Sequence, residues 1–307
     1  LNAYQEITRV MANVGKTQST GVELTINTKN IDSRNFKWST DFTFTAYKDR
    51  WKERTPDWKP GVYERVDDPI RPIYTRLADH ILQIGEQVPD AQPLLRPGEL
   101  VIKDINGYRR DANKQPIVDE NGRFVLTGEP DGLIDDADNV LLGSQDPSWL
   151  AGITNTFKYK DFDLNIQLNG MFGRRMQDPT EMAYGLGGGD LARYGYNALR
   201  KIKDRWTWDN PSTTQPTSFN GWGNNYTSGD WYYQRAWFIR LTNISFGWTL
   251  PKAWIARTKV LSRVRLSLSA NNLFCITPYK GLDPETDYYA ASYPNARTYS
   301  MGINVTF

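Results

Sequence analysis

The sequence predicts an all-β fold: a transmembrane antiparallel β-barrel, present here as about seven strands of a larger wall. Three observations carry this. Apolar and polar residues alternate with period 2 over unusually long runs, the alternate face is rich in Asn, Thr, Ser, Gln and charges, and short and long connections follow one another strictly along the chain. Soluble strands average about five or six residues, whereas tilted membrane strands need about nine to eleven. A face of small polar side chains suits a wet lumen better than the packed core of a sandwich.

Each element follows from its alternation. Val22, Leu24 and Ile26 oppose Glu23, Thr25 and Asn27; Phe36, Trp38, Phe42 and Phe44 oppose Lys37, Ser39, Asp41 and Thr43. A less regular run covers 148–160. Phe162, Leu164, Ile166, Leu168 and Phe172 then oppose Asp163, Asn165, Gln167 and Asn169. Thr242, Ile244, Phe246, Trp248 and Leu250 form the fifth apolar set, Val264, Leu266, Leu268 and Ala270 the sixth, and Tyr299, Met301, Ile303, Val305 and Phe307 the last. The connections at 32–35, 160–161 and 251–259 are short; those near 49–147, 174–235 and 276–296 are long. Short turns on one rim and long loops on the other are the outer-membrane barrel pattern. Seven strands do not close a barrel, so the remaining wall is expected from residues outside this sequence.

Composition narrows the chemistry. The 307 residues carry 37 basic and 35 acidic side chains, a net charge of +2, which argues against nucleic acid as a partner. Mean hydropathy is −0.61 and no apolar run reaches about 18 residues, so helical membrane spans are excluded and strands are not. One His (His80) and one Cys (Cys275) leave no disulfide, no multi-His or Cys zinc site and no placed thiol–imidazole pair. No carboxylate pair can be set opposite a substrate, so no catalytic residue is assigned and the chain is not read as an enzyme. The opening Leu1-Asn2-Ala3-Tyr4 lacks signal-peptide features and reads as mature or internal.

Several segments resemble the C-terminal part of SusC/RagA-type TonB-dependent outer-membrane transporters. They are Asn13-Val14-Gly15-Lys16 leading into Gly21-Val22-Glu23-Leu24, the run Phe238 to Gly247, Ser269-Ala270-Asn271-Asn272-Leu273-Phe274 with Tyr279-Lys280-Gly281-Leu282-Asp283-Pro284, and the closing Phe307. Arg205-Trp206-Thr207 and Asp209-Asn210-Pro211-Ser212-Thr213 resemble an extracellular loop of the same family. The resemblance implies a barrel of about 22 strands with an N-terminal plug, neither plug nor TonB box being within these residues. It implies location in the cell outer membrane among its lipids, a SusD-like surface lipoprotein as partner, and TonB acting through the missing N-terminal part. The substrate it implies is an oligosaccharide or peptide. Phe307 resembles the terminal signal read by the barrel-assembly machinery.

The family's acidic loop has a counterpart split by an insertion. Asp104-Ile105-Asn106-Gly107 supplies one half and 131–138 the other, with an excursion over 108–130 that must fold back as its own hairpin. Hard Ca²⁺ takes six to eight oxygens. On this reading Asp104, Asn106, Asp131, Asp135 and Asp138 are side-chain ligands and Leu133 offers its carbonyl; a solvated acidic turn is the plain alternative. The 173–235 loop carries Trp206, Trp208, Trp222, Trp231, Tyr232 and Tyr233, whose flat faces suit sugar rings, although most such residues pack within the loop or sit in the aromatic girdle. Gly185 to Gly189 reads as a flexible loop, and His80 as structural or exposed. Two other functions fit the pattern: a secreted calcium-dependent carbohydrate-binding β-sandwich, and a scaffold barrel in an outer-membrane complex.

Overall fold

The computed structural model describes residues 15–55, 58–65, 67–120, 123–178, 181, 184–185, 195, 197–217, 229–286, 293 and 295–307. Seven long strands form one antiparallel meander in chain order. They are β1 (Lys16–Asp32), β2 (Phe36–Glu53), β3 (Trp149–Tyr159), β4 (Phe162–Phe172), β5 (Phe238–Thr249), β6 (Arg263–Asn271) and β7 (Thr298–Thr306). A two-residue strand, Cys275–Ile276, extends the sheet beside β5. Among the described residues the sheet is open: β1 pairs only with β2, and β7 only with β6.

Register turns the sequence alternation into two continuous faces. Ile26 lies opposite Phe42, Phe42 opposite Ile153, and Ile153 opposite Leu168. Farther along, Leu164 meets Phe246, Phe246 meets Leu268, and Leu268 meets Met301. This face is unpacked: Met301 is 79% and Ile303 62% exposed. No second sheet lies over it among the described residues, which removes the sandwich, whose strands would bury that face. Burial of such a surface against hydrocarbon is the arrangement of a membrane wall.

The apolar face carries two aromatic rows. Trp38 stacks with Phe157, and Phe162 with Trp248, near the rim of short turns. Phe44, Trp149, Phe172 and Trp237 form the other row. Phe172 stands ten positions along the strand from Phe162. At about 3.3 Å per residue and a tilt of about 45°, that spans a band of about 23 Å, close to the thickness of an outer-membrane apolar belt.

One irregularity matters for the inner face. Between Leu241 and Asn243 the pairing of β5 with β4 shifts by one residue at Thr242. A bulge of this kind reverses which side chains face which way. Strict alternation from Ile244 back through Thr242 would send Arg240 into lipid. Instead Arg240 lies opposite Asn169 on the polar face.

Candidate functional site: the lumen face and its extracellular layer

The polar face is laced by short side-chain bonds. Asn165 donates to Thr156 at 3.0 Å, Asn243 to Asn271 at 2.7 Å, and Asn271 to Thr298 at 3.0 Å. Arg265 forks onto Asp163, with one bond of 2.8 Å. Its guanidinium lies where a side chain on Gly247 would stand, so a larger residue there would displace this cross-strand clasp. Gly152 and Gly302 similarly leave room for the hydroxyls of Thr43 and Ser267. The result is a hydrogen-bonding surface over most of the sheet, giving way near the long loops to Leu150, Met171 and Phe238 on the same face.

Arg240 anchors a strap over this surface. It pairs with Asp283 at 2.6 Å, both side chains being about 6% exposed, and with Glu285 at 3.1 Å. Asp283 also accepts from the backbone N–H of Glu285 and Asn295, which ties the segment after β6 to the lumen side. Tyr279 packs with Met176 and Ala236 on the same side.

Above the rim of long loops stands a layer with an ordinary core. Ile81, Leu100, Ile102, Trp206 and Tyr232 are buried together, with Ala78, Ile134 and Trp231 against them. Two loops far apart in sequence are joined here. Thr217 N–H donates to Gly98, Asp230 N–H to Arg76, and Ala78 N–H to the Asp230 carboxylate. Gly98 has φ +90°, and a side chain there would run into the Trp206 indole, so both backbone and space demand glycine.

This layer separates the aromatics that pack from the one that is exposed. Trp206 and Tyr232 are each only 2% exposed and belong to the core; Trp231 is half-buried against them. Trp208 is 67% exposed, edge-on to Trp206, and offers a free ring. Tyr233 lies in a cleft beside Arg175. Trp222 and most of the glycine run lie outside the described residues. His80, which showed no partner in the sequence, holds Asp79 at 2.9 Å and Glu86 at 2.6 Å. Burial opposes its protonation, but the bonds to the two carboxylates prevail and raise its pKa above the ordinary value.

The split acidic loop is reassembled. Tyr108 pairs with Leu126 and Val118 with Phe124, so the insertion returns as a hairpin and sets Asp104 beside 131–132. Asp104 accepts from the N–H groups of Asp131 (3.2 Å) and Gly132 (2.7 Å). Buried Asp138 accepts from Ile105, Asn106 and Asp135, and Asn106 accepts from Gly107 and Gly128. Asp131 accepts from Leu133 N–H, and Asp135 caps a short 3-10 turn through Ala137 N–H. The donors are the hard oxygens a calcium ion takes, but they are turned towards backbone amides. Among the described residues no three acidic, His or Cys side chains stand together.

No protein-family model matches the chain. Individual relatives do, each over part of its own length. TonB-dependent receptor P3 of Formosa agariphila is 28% identical over 333 aligned residues, covering all of this chain and 30% of that protein. Its homologues are TonB-dependent receptors. TonB-dependent receptor SusC of Bacteroides thetaiotaomicron is 25% identical, covering 96% of the chain and 27% of SusC. Two RagAB structures, described as a peptide transporter and as a closed-closed peptide importer, share the fold with TM-scores of 0.70 and 0.69 at 20% and 22% identity. Each covers 96% of this chain and the chain spans about 30% of theirs. TonB-dependent receptors such as SusC are outer-membrane proteins, and that membrane is the setting of this sheet.

Proposed function

We propose that these residues form the C-terminal wall of a SusC-like, TonB-dependent importer. One observation carries the reading: the sheet is inside out, with an exposed apolar face and a hydrogen-bonding face, along a chain whose whole length aligns with 30% of a TonB-dependent receptor. In this role the wall performs no chemistry. Its polar face lines the path of an oligosaccharide or peptide, its long loops receive cargo beneath a SusD-like lipoprotein, and TonB acts on a plug contributed by other residues. Trp208 is the aromatic of the loop layer placed to meet cargo. Deleting the full-length gene tests the proposal: uptake of an oligosaccharide or peptide is expected to fail while neighbouring outer-membrane complexes still assemble. Intact uptake with failed assembly would instead establish the scaffold role.

Calcium at Asp104, Asn106, Asp131, Leu133, Asp135 and Asp138 is a separate proposal. It is supported by the donor chemistry and by Asp131, whose second carboxylate oxygen takes no hydrogen bond among the described residues. Limited proteolysis decides it: added Ca²⁺ should protect 104–138 and a chelator should reverse this, whereas equal cleavage removes the ion.

A further inference from the structure

The membrane-facing wall changes character above its upper aromatic row. Outward-facing Ala46 lies opposite Trp149, and the same parity on β2 continues into Lys48 and Arg50. Beyond β4 and β5 the hairpin is prolonged by Arg175–Gln177 paired with Tyr233–Arg235, which sets Arg175 directly opposite Arg235. The other side of this extension, Met176 and Ala236, is buried against Tyr279 on the lumen side. Arg175 and Arg235 are therefore on the outward side, just above Phe172 and Trp237.

Arg71 joins them. With Gln145, Arg175 and Tyr233 it lines a cleft of about 150 Å³. Arg50 bridges to Pro69, two residues before Arg71, and Ser144 bridges to Arg174, so the segments that carry these cations are neighbours, and Arg71 and Arg175 share one cleft. Counter-charge is scarce. Arg71 pairs with Asp146 at 3.2 Å and Arg50 donates to the Asp67 carbonyl. Lys48, Arg175 and Arg235 have no ion pair among the described residues. Like charges directly opposite on paired strands destabilise the sheet unless an anion lies between them.

We propose that this band binds the phosphate groups of an outer-leaflet lipid. Guanidinium groups match phosphate oxygens in a fork, and cations next to a membrane gain from anionic headgroups. The occupant is an amphiphile rather than a soluble anion because the band sits directly on the apolar wall. One molecule can place its acyl chains against Leu168 and Ile153 and its phosphates against Arg71 and Arg175.

The test uses the intact outer-membrane protein in detergent, with bisphosphorylated lipid A and its dephosphorylated form as probes, and counts retained lipid by native mass spectrometry. The unaltered protein should retain the phosphorylated lipid and release it in high salt, while the dephosphorylated form washes away. Arg175→Gln with Arg235→Gln should cut retention about 30-fold, the usual effect of two cations next to anionic lipid. Arg175→Lys with Arg235→Lys should recover part of it. Equal retention of the two lipids by the unaltered protein overturns the proposal without recourse to any variant. So does equal retention by a Gln variant that still shows the heat-modifiable mobility of a folded barrel. Tight binding of soluble polyphosphate without lipid A would reassign the band to a soluble anion.

Discussion

The strand layer and the loop layer obey opposite rules. In the strands large apolar residues are exposed, as at Met301 and Ile303, and order comes from ladders of backbone and side-chain hydrogen bonds. In the loops they are buried, as at Trp206 and Leu100, and order comes from packing two distant segments together. The difference follows from solvent. Hydrocarbon rewards an apolar exterior and forbids unpaired backbone, while water above the membrane rewards an apolar interior.

Four experiments break or sharpen this contrast. The largest effect is expected from Trp206→Ala, which empties the centre of the loop core and should cost that layer about 4 kcal/mol. Protease cutting near 98 and 217 should rise sharply while the strands keep their heat-modifiable mobility; loss of both together would mean that the layers are one unit. Leu268→Arg, on the apolar face inside the lower aromatic row, should cost the barrel about 2 kcal/mol and reduce its assembly, read by urea unfolding in lipid. Ser267→Arg, one residue away on the polar face, should leave assembly nearly unchanged, and a similar loss would mean the faces are reversed.

Asp283→Asn removes the main partner of buried Arg240 and should loosen the strap by about 2 kcal/mol, with Glu285 limiting the loss. Faster hydrogen exchange around 279–286 is the readout. The smallest effect concerns His80, half-exposed in the loop layer. Its pKa is raised in the folded state, so its contribution is complete below the ordinary His value of about 6.5 and is lost as pH rises through the higher folded value. An NMR titration should show a raised midpoint, brought down by Glu86→Gln.

Much of the strand layer was legible because its code is local. Val264, Leu266 and Leu268 announce one face of β6 whatever stands opposite, and strand length separates a membrane wall from a sandwich. The hairpin return of 108–130 was also legible, since two halves of one acidic motif had to meet. The fate of Trp206 was not: an aromatic in a Gly- and Asn-rich loop looks the same whether it awaits a sugar or fills a core. Gly98, which makes room for its indole, lies more than a hundred residues away in sequence. Nor did His80 reveal Asp79 and Glu86 as partners, because short-range carboxylates are common and only backbone geometry brings two of them to one ring.

The amino-acid sequence alone determined which side chains share a face, how long each strand runs and which rim bears the long loops, because period-2 alternation needs no knowledge of neighbours. Only the tertiary structure decided that the bulge at Thr242 turns Arg240 inward to Asp283, and that two loops close over Trp206. It also decided that Arg71, Arg175 and Arg235 gather above the aromatic row. Each of these depends on a one-residue slip of register or on contact between distant segments, and neither leaves a periodic trace in the chain.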